Sequence, residues 1–144
     1  MAMIVDRLRW SGTDDEFFEL LTKVVFMTGF SRSVVENRWE AFRGAFQGFR
    51  IEDVAAFDDV TVEKMLEHDS GIIRNVRKVR ATIANARTCL ELRREYGSLQ
   101  LFSESLADLG EHAAGAVLRK AFALVGESAA KTLWVRLFHD QNAE

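Results

Sequence analysis

The sequence predicts an all-α fold in one compact domain that covers residues 1–144. The chain contains no proline, whereas average usage gives about seven in this length, so no proline interrupts a helix. Apolar residues recur at intervals of three and four, as Val35, Trp39 and Phe42 do, which indicates helices with one buried face. Glycines and polar capping residues separate these segments. We therefore expect seven to nine helices around one core.

Helix boundaries are marked clearly in the first half of the chain. Thr13 and Glu16 have the spacing of a capping box, and Gly29 follows the apolar segment that they open. Ser31 or Ser33 opens a second apolar segment, which Gly48 closes. The expected helices here lie at about 17–27, from Ser31 or Ser33 to Gly48, and at about 51–57, and a further one begins at about residue 60.

The second half begins with a tight turn at Asp69, Ser70 and Gly71. A long helix is expected after it, because apolar residues then recur on one face until Gly97 and Ser98 break the pattern. Gly126 precedes the last apolar segment. The expected helices in this half lie at about 75–95, 99–109, 113–122 and 127–138.

Charge is distributed unevenly within the domain, although the whole chain carries only −3. Residues 51–69 contain seven acids and one base, and residues 71–94 contain seven bases and one acid. This sign change predicts a basic face that could contact phosphates. An ordinary solvated helix surface is the alternative interpretation of the same charges.

Composition excludes several classes of protein. No apolar run approaches the roughly 18 residues that a membrane helix needs, and residues 1–10 lack the pattern of a secretory signal. The single cysteine, Cys89, excludes an intramolecular disulfide and a zinc site built from several cysteines. We expect no membrane partner and a cytoplasmic protein, associated with the nucleoid if the source is prokaryotic.

A helix-hairpin-helix element is predicted at about residues 61–88. Two helices are joined by a glycine turn, and basic residues follow at the start of the second helix, whose first amides and dipole attract anions. Gly71 would let a phosphate approach the backbone, while Ile72 and Ile73 would anchor the turn in the core. A plain helical hairpin with a glycine cap is the alternative. The expected DNA-contacting residues are Gly71, Ile72, Ile73, Arg74, Asn75, Arg77 and Lys78.

The hairpin sequence resembles the signature of the DNA-3-methyladenine glycosylase I family. The resemblance rests on residues 69–75, then on Lys78, Ala81 and residues 85–87. Further matches run in the same order over roughly residues 10–138, and they include Phe18, Glu19, Gly29, Phe30, Ser31, Arg38, Glu40, Phe42, Arg43, Ala45, Phe46, Gly48, Phe49, Val54, Ala55, Phe122, Val125 and Gly126.

The resemblance implies a helical base-excision repair enzyme with duplex DNA as its partner. Such an enzyme extrudes a 3-methylated adenine from the duplex and hydrolyses its N-glycosidic bond, which is inaccessible inside the stack. Two alternatives stay open. The chain could be a catalytically inactive relative that binds DNA or recruits a protein partner, or a purely protein-binding domain that keeps the hairpin as a relic.

The chain departs from the family at the residues that define its sites. The family binds zinc through cysteine and histidine at both ends, whereas here the start has neither and the end has only His139, so we expect no metal and no cofactor. The family's base-binding glutamate falls at Val24, and its stacking aromatic falls at Arg32. The base pocket expected in this chain therefore consists of Trp10, Val24, Phe26, Met27, Phe30 and Arg32.

No residue stands out as a catalytic acid or base. Glu36 and Glu40 lie one turn apart and could face a pocket, and Glu127 could point into a cleft after Gly126. Solvated acids on helix surfaces are the common alternative. These three glutamates are therefore weak candidates only.

Overall fold

The computed structural model describes residues 8–67 and 70–139, and within these ranges all regular structure is helical. The all-α prediction is confirmed. No helix in the described ranges is long and apolar enough to cross a membrane. The helices are α1 (Asp14–Met27), α2 (Arg32–Asn37), α3 (Trp39–Ala45), α4 (Ile51–Ala55), α5 (Asp59–Met65), α6 (Val76–Tyr96), α7 (Leu99–Ala107), α8 (Gly110–Ala121) and α9 (Glu127–Phe138), with a 3-10 turn at Gln47–Phe49.

The start of α1 organises the ends of two other helices. Thr13 and Glu16 form the expected capping box, with hydrogen bonds of 3.0 and 3.1 Å. The two carboxylates between them, those of Asp14 and Asp15, form hydrogen bonds with other helices. Asp14 accepts a hydrogen bond from the Leu99 amide (2.8 Å), and Asp15 accepts one from the Ile51 amide (3.1 Å). Because first-turn amides lack intrahelical acceptors, these acids fix the starts of α7 and α4 against α1.

The central pair of helices is α1 and α6. The start of α1 lies near the end of α6, where Arg93 approaches Asp14 (3.9 Å), and the end of α1 lies near the start of α6. Helix α6 also packs against α4 and α7, while α9 packs against α1 and α8. The hairpin at the start of α6 is therefore held directly against the end of α1.

Aromatic rings fill the core between α1, α3 and the 3-10 turn. Phe26 packs edge-on against Phe42 (4.7 Å between centroids), and Trp39 stacks on Phe42 and on Phe49 (5.0 and 5.2 Å). Phe26, Phe42 and Phe49 are completely buried. Burial of such rings contributes on the order of 2–3 kcal/mol each, so this cluster is a major source of stability.

The helix expected between Ser31 or Ser33 and Gly48 is broken into α2 and α3. Arg38 has φ −105° and ψ 5° and separates the two. The chain then passes through three consecutive positive φ angles, at Gln47 (55°), Gly48 (67°) and Phe49 (59°). A positive φ is strained for a phenylalanine. Complete burial of the Phe49 ring in the stack offsets that strain.

Asn85 connects the middle of α6 to the loop between α8 and α9. Its side chain accepts a hydrogen bond from the Ala123 amide (2.8 Å) and donates one to the Ala123 carbonyl (3.2 Å). The backbone amide and the backbone carbonyl of Ala123 thus both form a hydrogen bond with the buried Asn85 side chain. This pairing fixes the loop that precedes α9, next to Leu124, whose φ is 56°.

Candidate nucleic-acid interface

The turn of the hairpin joins α5 to α6 and approaches α3 closely. Asp69 of the predicted turn lies outside the described residues. Gly71 has φ 85°, and a Cβ at this position would lie 2.9 Å from the Ala41 Cβ. A side chain is thus excluded both by backbone conformation and by space. The glycine is required for the hairpin to pack, which is a structural role beside the close phosphate approach expected from the sequence.

The apolar residues after Gly71 anchor the turn as expected. Ile72 is buried, and Ile73 is partly buried and packs against the core. The Asn75 amide donates to the Ile73 carbonyl (2.9 Å), and the Asn75 side chain accepts from the Lys78 amide (3.1 Å). Asn75 is therefore the N-cap of α6, a role that the sequence pattern did not distinguish from direct phosphate contact.

The start of α6 presents donors to solvent. The amides of Val76 and Arg77 are in the first turn and have no intrahelical acceptor. Arg74 and Arg77 are exposed, and neither forms an ion pair with a residue in the described ranges. These two amides and two guanidinium groups have no partner among the described residues, and such a set of donors at a positive helix end can bind a phosphate.

Lys78 does not lie on this surface, contrary to the sequence-based expectation. Its side chain is buried, and Nζ donates hydrogen bonds to the carbonyls of Phe26 (3.1 Å) and Thr28 at the end of α1. Nζ also lies 4.8 Å from the centre of the exposed Phe30 ring. Burial lowers the pKa of Lys78, but the carbonyl dipoles and the ring favour its charged form. Lys78 joins the hairpin to α1.

The residues expected to form a base pocket do not converge on one cavity. Val24 and Phe26 are buried in the core, where they contact other side chains and leave no surface for a ligand. Met27 is partly buried, Phe30 is exposed, and Arg32 forms a hydrogen bond with Glu36 (3.1 Å). Consecutive positions of α1 point to different faces, and the base pocket stays a prediction.

Trp10 is the member of the expected pocket that borders a cavity described in the structure. This cavity, about 410 Å³, lies between α1, α3 and α9. Trp10 itself is 7% exposed and packs edge-on against Phe17 (5.8 Å). The remaining lining side chains are mostly charged, and they are Glu16, Glu19, Leu20, Lys23, Arg43 and Arg136.

Sequence reasoning missed the polar network beside that cavity. Glu19 accepts hydrogen bonds from the Trp39 indole (2.7 Å) and from Arg43 Nε (2.9 Å), so one carboxylate joins α1 to α3. Its hydrogen bond to Glu19 raises the pKa of Arg43. The resemblance already included Glu19 and Arg43 among its matched positions, and this was the available signal. Their contact could not be inferred because they are 24 residues apart.

The three weak catalytic candidates are exposed glutamates that do not meet. The hydrogen bond from Arg32 lowers the pKa of Glu36, which is the opposite of what a general base at neutral pH requires. Glu40 pairs with Arg43 (3.1 Å). Glu127 borders a second cavity, about 540 Å³, between α8 and α9 together with Trp134. The geometry therefore gives none of them a distinct catalytic environment.

No group of three or more histidine, cysteine, aspartate or glutamate side chains is arranged as a metal site in residues 8–67 and 70–139. Cys89 is buried, and its burial raises the pKa of the thiol far above the ordinary value. A thiol in that environment is a poor ligand and a poor nucleophile.

A curated protein is similar to this chain in sequence over about half of its length. The E. coli (strain K12) protein DNA-3-methyladenine glycosylase 1 is 34% identical over 77 residues, which are 54% of this chain and 41% of that relative. The chain thus spans about two fifths of the length of this curated relative.

Solved structures show the same fold. A crystal structure of 3-methyladenine DNA glycosylase I has a TM-score of 0.76 at 24% identity, covering 86% of this chain and 78% of its own. The 3-methyladenine DNA glycosylase I from Staphylococcus aureus has a TM-score of 0.77 at 18% identity, covering 90% and 78%. The sequence model of the methyladenine glycosylase family matches residues 9–131, which is most of the chain. The chain therefore belongs to the methyladenine glycosylase family.

Proposed function

We propose that this chain binds duplex DNA through the hairpin, mainly by phosphate contacts, and hydrolyses the N-glycosidic bond of an alkylated base. The observation that carries the proposal is the exposed start of α6 beside the Gly71 turn. Binding of this kind positions the protein on DNA without reading its sequence. In a prokaryotic cell it would bring the chain to the nucleoid.

Salt dependence tests the DNA-binding part of the proposal. Each phosphate neutralised by a basic side chain releases counterions, so the logarithm of affinity falls linearly with the logarithm of salt concentration. Replacing both Arg74 and Arg77 by alanine should weaken duplex binding and reduce the magnitude of that slope by about 2, since each contact contributes roughly 1.

Arg119→Ala is the matched control, because Arg119 is an exposed arginine on α8 that forms no ion pair with a described residue. We expect its affinity and salt slope to equal those of the unchanged protein. Equal slopes for the control and for the double variant would contradict phosphate binding at the hairpin.

Excision is proposed from family membership together with the chemistry of the leaving group. The similar proteins are called 3-methyladenine DNA glycosylases. An N3-alkylated purine carries positive charge and leaves readily, so a shaped site could suffice without a strong catalytic acid. The test is release of free 3-methyladenine from methylated duplex DNA, with the E. coli relative as positive control.

A catalytically inactive DNA-binding or partner-recruiting relative is the second candidate. The specific observation in its favour is Val24, which occupies the position where the resemblance places the base-binding glutamate and is buried in the core. Salt-dependent DNA binding without base release, under conditions where the positive control releases base, would select this candidate.

We also propose that the chain functions without zinc. The proposal is supported by the cysteine and histidine content of the sequence: the single cysteine, Cys89, is buried in α6, and the three histidines do not have the spacing of metal ligands. Elemental analysis of the purified protein should find no bound zinc, and one zinc per chain would contradict the proposal.

A further inference from the structure

Arg38, at the junction of α2 and α3, is an exposed arginine whose side chain is not used by the fold. It forms no ion pair or hydrogen bond with a residue in the described ranges. The arginines within the two helices are engaged, since Arg32 donates to Glu36 (3.1 Å) and Arg43 donates to Glu19 (2.9 Å). The guanidinium of Arg38 is therefore available to a ligand from solution.

The acids nearest to Arg38 along the chain do not compensate its charge. Besides its bond from α2, Glu36 lies 4.0 Å from the Lys23 ammonium, and Glu40 pairs with Arg43 (3.1 Å). Both acids are two positions from Arg38, and residues at that spacing on a helix do not face each other. The other exposed residues of α2 carry no charge, and they are Ser33, Val34 and Asn37.

The segment that contains Arg38 is fixed to the hairpin on both sides. Before α2, the exposed Phe30 ring lies 4.8 Å from the Lys78 ammonium of α6. Within α3, the Ala41 Cβ lies 2.9 Å from the place that a Cβ on Gly71 would occupy. Arg38 is three residues from the second contact, so it lies within one helical turn of the point where α3 meets the hairpin turn.

The helical period places Arg38 on the side of α3 that contacts the hairpin. The Phe42 amide donates to the Arg38 carbonyl (3.1 Å), so Arg38 continues the first turn of α3. At about 100° per residue, Arg38 and Ala41 are about 60° apart around the axis, whereas Arg38 and Arg43 are about 140° apart. Arg43 reaches Glu19 of α1, and Arg38 is directed to the other flank, beside Gly71.

We infer that Arg38 binds a second phosphate of the duplex that the hairpin holds. The inference rests on the proposed function, and it extends the DNA-contacting surface from the start of α6 across the Gly71 turn to the start of α3. A guanidinium can bind phosphate oxygens through two parallel hydrogen bonds. Contacts from two separate elements fix the orientation of the duplex on the protein, which contacts from α6 alone fix less well.

The salt dependence of duplex binding tests the role of Arg38. Arg38→Ala should weaken binding about tenfold, because a charge-assisted hydrogen bond contributes this much. It should also reduce the magnitude of the salt slope by about 1, and equally for duplexes of different sequence. A slope equal to that of the unchanged protein would overturn the inference.

Matched variants separate the charge of Arg38 from its effect on the fold. Arg38→Lys keeps the charge and should keep the slope, whereas Arg38→Gln should behave as Arg38→Ala does and keeps the test valid if the alanine variant does not fold. Arg94→Ala is the control, because Arg94 is exposed and unpaired among the described residues and lies about 25 Å along α6 from Arg77. An equal loss of slope for Arg94→Ala and Arg38→Ala would contradict a phosphate contact at Arg38.

The side-chain Nε–H signals of the arginines supply a direct readout by NMR. Titration of the full chain with a short duplex at low salt should shift the Arg38 signal together with those of Arg74 and Arg77, and leave that of Arg94 in place. An unmoved Arg38 signal would refute the inference.

The double variant of Arg74 and Arg77 distinguishes failure of this inference from failure of the proposed function. If the double variant loses about 2 in slope and Arg38→Ala loses nothing, the hairpin binds DNA without Arg38, so the inference is wrong and the proposed function stands. If neither variant changes the slope, both are wrong. A loss of about 3 when all three arginines are replaced is the expected result, since each contact contributes roughly 1.

Discussion

The Lys78 ammonium holds the start of α6 against the end of α1. Carbonyls at the end of a helix have no intrahelical donor, and Lys78 provides one for Phe26 and for Thr28. The same ammonium contacts the ring of Phe30. One buried side chain thus sets the distance between the hairpin and the turn that follows α1.

Lys78→Met should destabilise the protein by about 1–3 kcal/mol, because methionine fills the space but leaves two carbonyls without their donor. Chemical denaturation measures the free energy of unfolding. Lys120→Met, at an exposed position of α8, should change it by less than about 0.5 kcal/mol. Equal stabilities of the two variants would show that the Lys78 contacts contribute nothing.

Replacement by alanine should lower the stability of the protein at Gly71 and raise it at Gly44. Gly71→Ala places a Cβ at φ 85° and 2.9 Å from the Ala41 Cβ, and a left-handed conformation alone costs about 1–2 kcal/mol. Gly44→Ala fills open space within α3 and should stabilise the protein by about 0.5–1 kcal/mol. Thermal unfolding should give a lower Tm for Gly71→Ala and a higher Tm for Gly44→Ala than for the unchanged protein. A Gly71→Ala variant with an unchanged Tm would contradict the close packing of the turn against α3.

At the scale of elements, α5 is fixed by its N-cap. The Asp58 carboxylate accepts hydrogen bonds from the Thr61 amide and hydroxyl, both at 2.9 Å. These bonds lower the pKa of Asp58 below its ordinary value of 3.8. The cap therefore holds the first helix of the hairpin most firmly when Asp58 is ionised.

The lowered pKa of Asp58 predicts a specific acid sensitivity. Its contribution to stability is complete above the ordinary pKa of 3.8 and is lost as the pH falls through the lower pKa of the folded state. Asp58→Asn retains an acceptor oxygen but does not titrate. Denaturant unfolding at neutral pH and near pH 3 measures the free energy of unfolding of the unchanged protein and of Asp58→Asn. The difference between them should be smaller in acid. An equal difference at both pH values would contradict a stabilising role for the ionised Asp58.

Most helices could be predicted from the sequence because their signals are local. The capping pair Thr13 and Glu16, and the glycine breaks at Gly29 and Gly97, depend on neighbours within one or two turns. The break at Arg38 was not predictable, because the apolar pattern continues across it. It depends on how the aromatic stack packs, and that is a tertiary effect.

The site was predicted less well than the fold, for a related reason. Exposed Arg74 and Arg77 lie where their position after the turn indicated, whereas Lys78 faces inward because one residue along a helix changes the facing direction by about 100°. The cavity beside Trp10 joins three helices, so spacing within one segment could not reveal it.

For the whole molecule, the DNA-binding proposal rests on Arg74 and Arg77, because Arg80 and Arg93 of α6 form ion pairs with Asp59 and Glu52. The chain carries −3 overall, so attraction to DNA has to come from a local basic face. The free amides and guanidinium groups at the start of α6 provide that face, and α1 holds it in place through Lys78. Duplex binding at low salt with rapid loss at higher salt is the behaviour expected of the intact protein.

Amide shift mapping on a short duplex tests whether DNA binds at the start of α6. Titration of the isotope-labelled protein should shift the backbone amides of Gly71, Val76 and Arg77 most strongly, with little change along α8. Shifts concentrated on α8 and α9, with the amides at the start of α6 unmoved, would contradict binding through the hairpin.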